Sequence, residues 1–178
     1  VKDKEQVGDN KLNPEEVIFL DNGQEKPMKY IIPKIRIAAR ALGFGGIAKY
    51  TVMRGDHAQL RTTSKMPSFL VSVPKNAQPD SYMTLANFAV RRNKSREVLM
   101  GGGFTSYSSG IHPDRIMPVT FEKIEDQLRA TKDFVIYKLT PKSPLIPGEY
   151  AIILNTSEIR TVGFFGQASD SCFDFGVD

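Results

Sequence analysis

Turn signals recur about every ten residues along this 178-residue chain, which leaves room for short strands and little else. Val17-Ile18-Phe19-Leu20 runs into Asp21-Asn22-Gly23, a tight-turn signal, and the chain is expected to return through Met28–Ile32. Ile47–Met53 and Ala58–Thr62 flank Arg54-Gly55-Asp56-His57, and Met83–Arg92 and Arg96–Met100 flank Asn93-Lys94-Ser95. Pro67 and Pro74 bound the run Ser68–Val73, where neither can donate to a ladder. Pro141, Pro144 and Pro147 confine residues 141–148 to a loop or connector, after which Glu149–Leu154, Ile159–Phe165 and Cys172–Val177 read as strands. Ile and Val together number 26 against 11 Leu, a bias toward side chains that fit a pleated surface. The expected fold is therefore all-β. It is a single antiparallel β-sandwich of eight or more short strands over residues 14–178, behind a flexible polar lead-in at 1–13. Phe121, Ile124 and Leu128 keep helical spacing, which predicts one short helix near 121–131.

The net charge of +4 conceals an uneven distribution. Residues 1–25 carry −4, residues 26–96 carry +12, and residues 97–178 carry −4. Within the basic segment, residues 34–42 fit either a strand or, through Ile35, Ala38, Ala39 and Leu42, a helix. In the favoured strand, Lys34, Arg36 and Arg40 share one face opposite Ile35, Ile37, Ala39 and Ala41, while Arg91, Arg92, Lys94 and Arg96 cluster at a hairpin tip. These seven cations are the candidate binding surface, suited to an anionic polymer or an acidic protein. The competing expectation is that sheet topology sets acidic strands beside basic ones and cancels the field.

Two segments carry a family resemblance. Pro147-Gly148-Glu149-Tyr150-Ala151 and the closing Phe173-Asp174-Phe175-Gly176-Val177-Asp178 resemble the C-terminal signature of an uncharacterised family of bacterial exported or envelope β-domains. Pro67-Ser68-Phe69, after Gly55 and Ala58, is similar as well. The resemblance implies an extracytoplasmic location, periplasmic or at the cell envelope, against a cytoplasmic alternative. It brings no catalytic residues with it.

Scarcity of reactive groups narrows the chemistry. His57 and His112 are the only imidazoles, so any histidine base must be one of them. Ser106, Ser108 and Ser109 lie in a glycine-rich loop, without the Gly-x-Ser-x-Gly turn that exposes a nucleophile. The single Cys172 shares a strand face with Asp174 and reads as a small packing residue rather than a nucleophile. Asp170, Asp174 and Asp178 recur every fourth residue, but strand geometry places neighbours about 13 Å apart, too far to share one cation. No metal set, cofactor motif or RNA- or DNA-reading motif is present, and Tyr30, Phe44 and Tyr50 are the only aromatics near the cations. No stretch approaches the roughly 20 apolar residues that span a bilayer as a helix.

The expected function is thus a non-catalytic extracytoplasmic module that binds a protein or anionic polymer. Two alternatives remain. One is a hydrolase using loop carboxylates or His57 and His112; the other is a structural domain whose acidic flanks meet the basic middle of a second copy.

Overall fold

The computed structural model describes residues 11–39, 47–101, 113–154 and 171–178. Among them, β1 (Val17–Asp21) and β2 (Gln24–Pro27) form the first hairpin. Its turn places Asn22 at φ 49° and Gly23 at φ 81°, the left-handed pair that an Asn-Gly dipeptide accepts at least cost. The return strand is thus Gln24–Pro27 rather than Met28–Ile32, because a two-residue turn needs no further spacer. Beyond it, Ile31 exchanges backbone hydrogen bonds with Cys172.

The chain continues through β3 (Lys34–Ala39), β4 (Ile47–Arg54), β5 (Arg61–Thr62) and β6 (Ser68–Pro74). A single helical turn, α1 (Pro79–Tyr82), leads into β7 (Met83–Val90) and β8 (Ser95–Gly101). Then follow β9 (Ile116–Met117), β10 (Val119–Lys123), β11 (Phe134–Pro141), β12 (Gly148–Leu154) and β13 (Ser171–Val177). The strand expected at Ile159–Phe165 lies outside the described residues.

These strands build an all-β, sandwich-like fold of two mostly antiparallel sheets, ordered β10-β11-β6-β1-β2 and β3-β4-β8-β7-β12-β13-β5. Alternation puts Val17, Phe19, Phe69, Val71 and Leu139 of the first sheet against Leu85, Ile152, Phe173, Phe175 and Val177 of the second. Phe19, Phe69, Phe175 and Tyr150 form a continuous row of rings, with centroids 5.0 to 5.7 Å apart. The Tyr150 hydroxyl escapes the desolvation cost by donating to the Ile146 carbonyl at 2.7 Å.

The larger sheet is folded on itself. β7 pairs with β9 through Leu85 and Ala86 but with β8 only through Ala89 and Val90. β8 pairs with β4 over its length, so β3, β4 and β8 form a flap over the outer face of β7, β12 and β13. Met53 and Val98 of the flap pack on Ala86, Phe88, Ala151, Ile153 and Cys172, which gives the domain a second buried layer. The wholly buried Cys172 thus faces this layer while Phe173 and Phe175 face the main core, as the alternation requires.

No helix forms near 121–131. Phe121 belongs to β10 and stacks edge-on against Tyr137, Ile124 packs in a small cluster with Leu12, Ile18, Leu70 and Ile136, and Leu128 is 88% exposed. The three residues that share helical spacing therefore serve three different surroundings. Gln127 substitutes for a strand partner here, donating to Ile124 O and Ile136 O and accepting from Ile136 N–H. Leu12, within the expected polar lead-in, is buried and bridges to Ala130.

Candidate functional site

The basic segment is divided between the two sides of the flap. On the inner side Arg96 of β8 points toward β12 and β13, and it is only 2% exposed. Its Nη1 lies 2.6 Å from Asp174 Oδ2 and 3.8 Å from Glu149 Oε2. Nε donates to Gly55 O and Nη2 to Arg54 O, each at 3.0 Å. Glu149 also accepts from the Ala58 N–H at 2.7 Å and from Arg61, which in turn holds Asp178. A charge this deep is tolerable only when its donors are matched, and here they are. Arg96 is therefore a buried tie between flap and sheet, which corrects its assignment to the binding surface.

The carboxylates of this network come from two C-terminal runs: Glu149 follows Pro147-Gly148, while Asp174 and Asp178 lie in the closing run 173–178. Gly176 belongs to the same arrangement. A Cβ there would overlap Arg61 Nη1, so only glycine leaves room for that guanidinium where it stands. Asp174 and Asp178, whose spacing along a strand already excluded a shared cation, are each bound to an arginine. Asp170 lies outside the described residues.

On the outer side of the flap, strand register sets Lys34, Arg36, Tyr50, Arg54 and Glu97 on one face. Arg36 grips Glu97 with two bonds, Nε–Oε1 at 3.2 Å and Nη2–Oε2 at 2.9 Å, and lies 4.3 Å from the Tyr50 ring centroid. The hydrogen bond to Glu97 pushes the Arg36 pKa up, so its charge is secure. Arg91 approaches the same carboxylate at 3.3 Å. Tyr50, Arg91, Glu97, Leu99, Asp114 and Arg115 line a shallow groove of about 370 Å³ beside them.

Lys34 and Arg54, on that face, and Arg92, at the adjoining hairpin tip, are exposed and make no ion pair among the described residues. Lys94 closes the tip at φ 57°, a left-handed position, and helps hold the Asp56 carboxyl below its ordinary range, behind the main cause, a hydrogen bond from His57. The structure thus brings Lys34, Arg36 and Arg91 to one face and sets Arg92 and Lys94 at its edge. Arg40 lies outside the described residues. Arg54 joins this face without having been singled out in the sequence, and Tyr50, named there only as a nearby aromatic, joins it as well; the signal for both is their even spacing along Ile47–Arg54.

His57 stands at a separate pocket of about 830 Å³, whose walls include Tyr30, Ile31, Leu60, Arg96 and Asp174. Its Nδ1 lies 2.6 Å from Asp56 Oδ1. His112 and the serines at 106, 108 and 109 lie outside the described residues. No family model, curated protein or solved structure gives a significant match to this chain.

Proposed function

We propose that this domain is a non-catalytic binding module, acting outside the cytoplasm, that engages a protein or anionic polymer through the outer face of its β3–β4–β8 flap. One observation carries the reading. Lys34, Arg54 and Arg92 are exposed and make no ion pair among the described residues, and they are grouped around Arg36 and Arg91, which share the buried Glu97. Among the described residues these five cations outnumber Glu97 and the groove's Asp114, so the face attracts an anionic partner, and the Tyr50 ring under Arg36 adds an apolar surface to the contact. The extracytoplasmic location rests on the resemblance of residues 147–151 and 173–178.

The test is retention on a sulfated polysaccharide column. The domain is expected to bind at low ionic strength and to elute steeply as salt rises, since exposed charges are screened within about 10 Å at 0.1 M salt. Flow-through at low salt would defeat the reading.

The hydrolase alternative has the His57–Asp56 pair beside a large pocket in its favour. Against it, Asp174 and Glu149, the carboxylates nearest the buried Arg96, are occupied in holding it. For self-association through opposite charge, the flanking segments have already spent Asp21, Glu97, Glu149, Asp174 and Asp178 on cations of their own chain.

A further inference from the structure

Edge strands of soluble domains usually present polar side chains, because an exposed apolar edge invites another strand. β3 departs from this pattern. It ends the larger sheet among the described residues, and its Ile35 and Ile37 are 60% and 67% exposed. Among the described residues, four of the eight exposed large apolar side chains, Tyr30, Ile32, Ile35 and Ile37, fall within this one stretch of chain. The expected strand, with cations on one face and aliphatics on the other, is present, but its apolar stripe overhangs the second core instead of entering it. That core ends at Met53 and Val98, one and two strands further in.

The backbone adds to the case. In an antiparallel pair, successive residues alternately bond their partner and point their N–H and C=O away from it. β3 pairs with β4 along Lys34–Ala39, so every second residue points its donor and acceptor away from β4, where no described strand pairs with them. An incoming strand would meet Lys34 and Arg36 on one face and Ile35 and Ile37 on the other. Only an extended segment that alternates acidic with apolar residues matches both faces. A slip of one residue would put every side chain on the wrong side, so alternation, not composition, sets the fit. A second copy pairing through β3 would bring the same cations to the same face, a repulsion that an acidic strand converts into attraction.

We propose that β3 accepts an extended acidic segment of a protein partner as an added strand, its carboxylates against Lys34 and Arg36 and its alternate apolar residues against Ile35 and Ile37. This rests on the anionic-partner reading and narrows it to one class of partner and one mode of contact.

The probes are three synthetic peptides, end-capped: one alternating Glu and Val, one of the same composition with Glu and Val in separate blocks, and oligo-glutamate. Binding is followed by titration and by amide hydrogen exchange across Lys34–Ala39. The alternating peptide is expected to bind at least about tenfold tighter than the block peptide and to slow exchange at alternate β3 amides. Ile35→Thr/Ile37→Thr, at exposed strand positions, is expected to remove that preference while leaving retention on the polysaccharide column unchanged. Equal binding of all three peptides with no slowed β3 amide overturns strand addition and leaves the charge-based reading standing. Failure of every peptide and of the polysaccharide to bind overturns both. A stable dimer with slowed β3 amides in the absence of peptide assigns the edge to a second copy and overturns the acidic partner.

Discussion

Arg96 and Arg36 come from the same basic segment and the same three-stranded flap, yet they do opposite things. Arg96 faces inward, where Asp174 and Glu149 of the sheet below surround it, and its four hydrogen-bonded or ionic contacts leave it 2% exposed. Arg36 faces outward, shares Glu97 with Arg91 and keeps half its side chain in solvent. A run of like charge in the sequence is thus not a surface in the fold. Strand parity decides which cations turn inward, and the carboxylates met there decide which are neutralised. The +12 segment divides along that line.

The difference is broken most directly by removing each arginine in turn. Arg96→Met leaves Asp174 and Glu149 without their buried cation, and unfolding stability is expected to fall by about 3–5 kcal/mol. Arg36→Gln leaves Arg91 on Glu97, and its cost is expected to stay within about 1 kcal/mol. Urea denaturation of the two variants measures both, and equal losses would contradict the division. Next in size is the double variant Arg36→Gln/Arg91→Gln. Glu97 is itself buried, so stripping both cations is expected to cost about 2–3 kcal/mol, more than the two single changes combined. Strict additivity in that double-mutant cycle would mean Glu97 does not depend on either partner.

Gly176→Ala sharpens the inner half of the comparison. The new methyl displaces the Arg61 guanidinium from Glu149 and Asp178, at an expected cost of about 1–3 kcal/mol by the same denaturation measurement. The smallest effect concerns pH. Its hydrogen bond with Arg61 holds the Asp178 carboxyl below its ordinary value of 3.8. A carboxyl lowered by folding contributes fully above its unfolded pKa and loses that contribution as pH falls through the lower folded value. Asp178→Asn is therefore expected to flatten the decline in stability below about pH 4, while stability near neutrality drops slightly. An unchanged acid limb in a pH series of melts would remove Asp178 from the network.

Legibility in the sequence followed the range of the physics. The turn at Asn22-Gly23, the proline-bounded strand at 68–74 and the alternation through Cys172, Phe173, Asp174 and Phe175 are local, and each reads directly from residue order. The helix expected near 121–131 failed because Phe121, Ile124 and Leu128 satisfy a helical period by coincidence while Gln127 supplies the strand contacts instead. The inward turn of Arg96 was invisible for a different reason. Its partners Glu149 and Asp174 are far along the chain, and only the folding of β8 over β12 and β13 brings them together. The outer site was half legible: even spacing of Lys34 and Arg36 placed them together, but nothing local joined them to Tyr50, Glu97 and Arg91.

The central claim is that position on the flap, rather than net charge, makes the exposed cations a binding face. Two variants with the same charge change test it: Lys34→Gln/Arg92→Gln on and beside that face, and Lys65→Gln/Lys75→Gln at exposed positions flanking β6, in the other sheet. The measurement is the salt concentration at which each elutes from the sulfated polysaccharide column. The first pair is expected to elute well below the unmodified domain and the second to elute with it. Equal shifts for both pairs, or none for either, would contradict the claim.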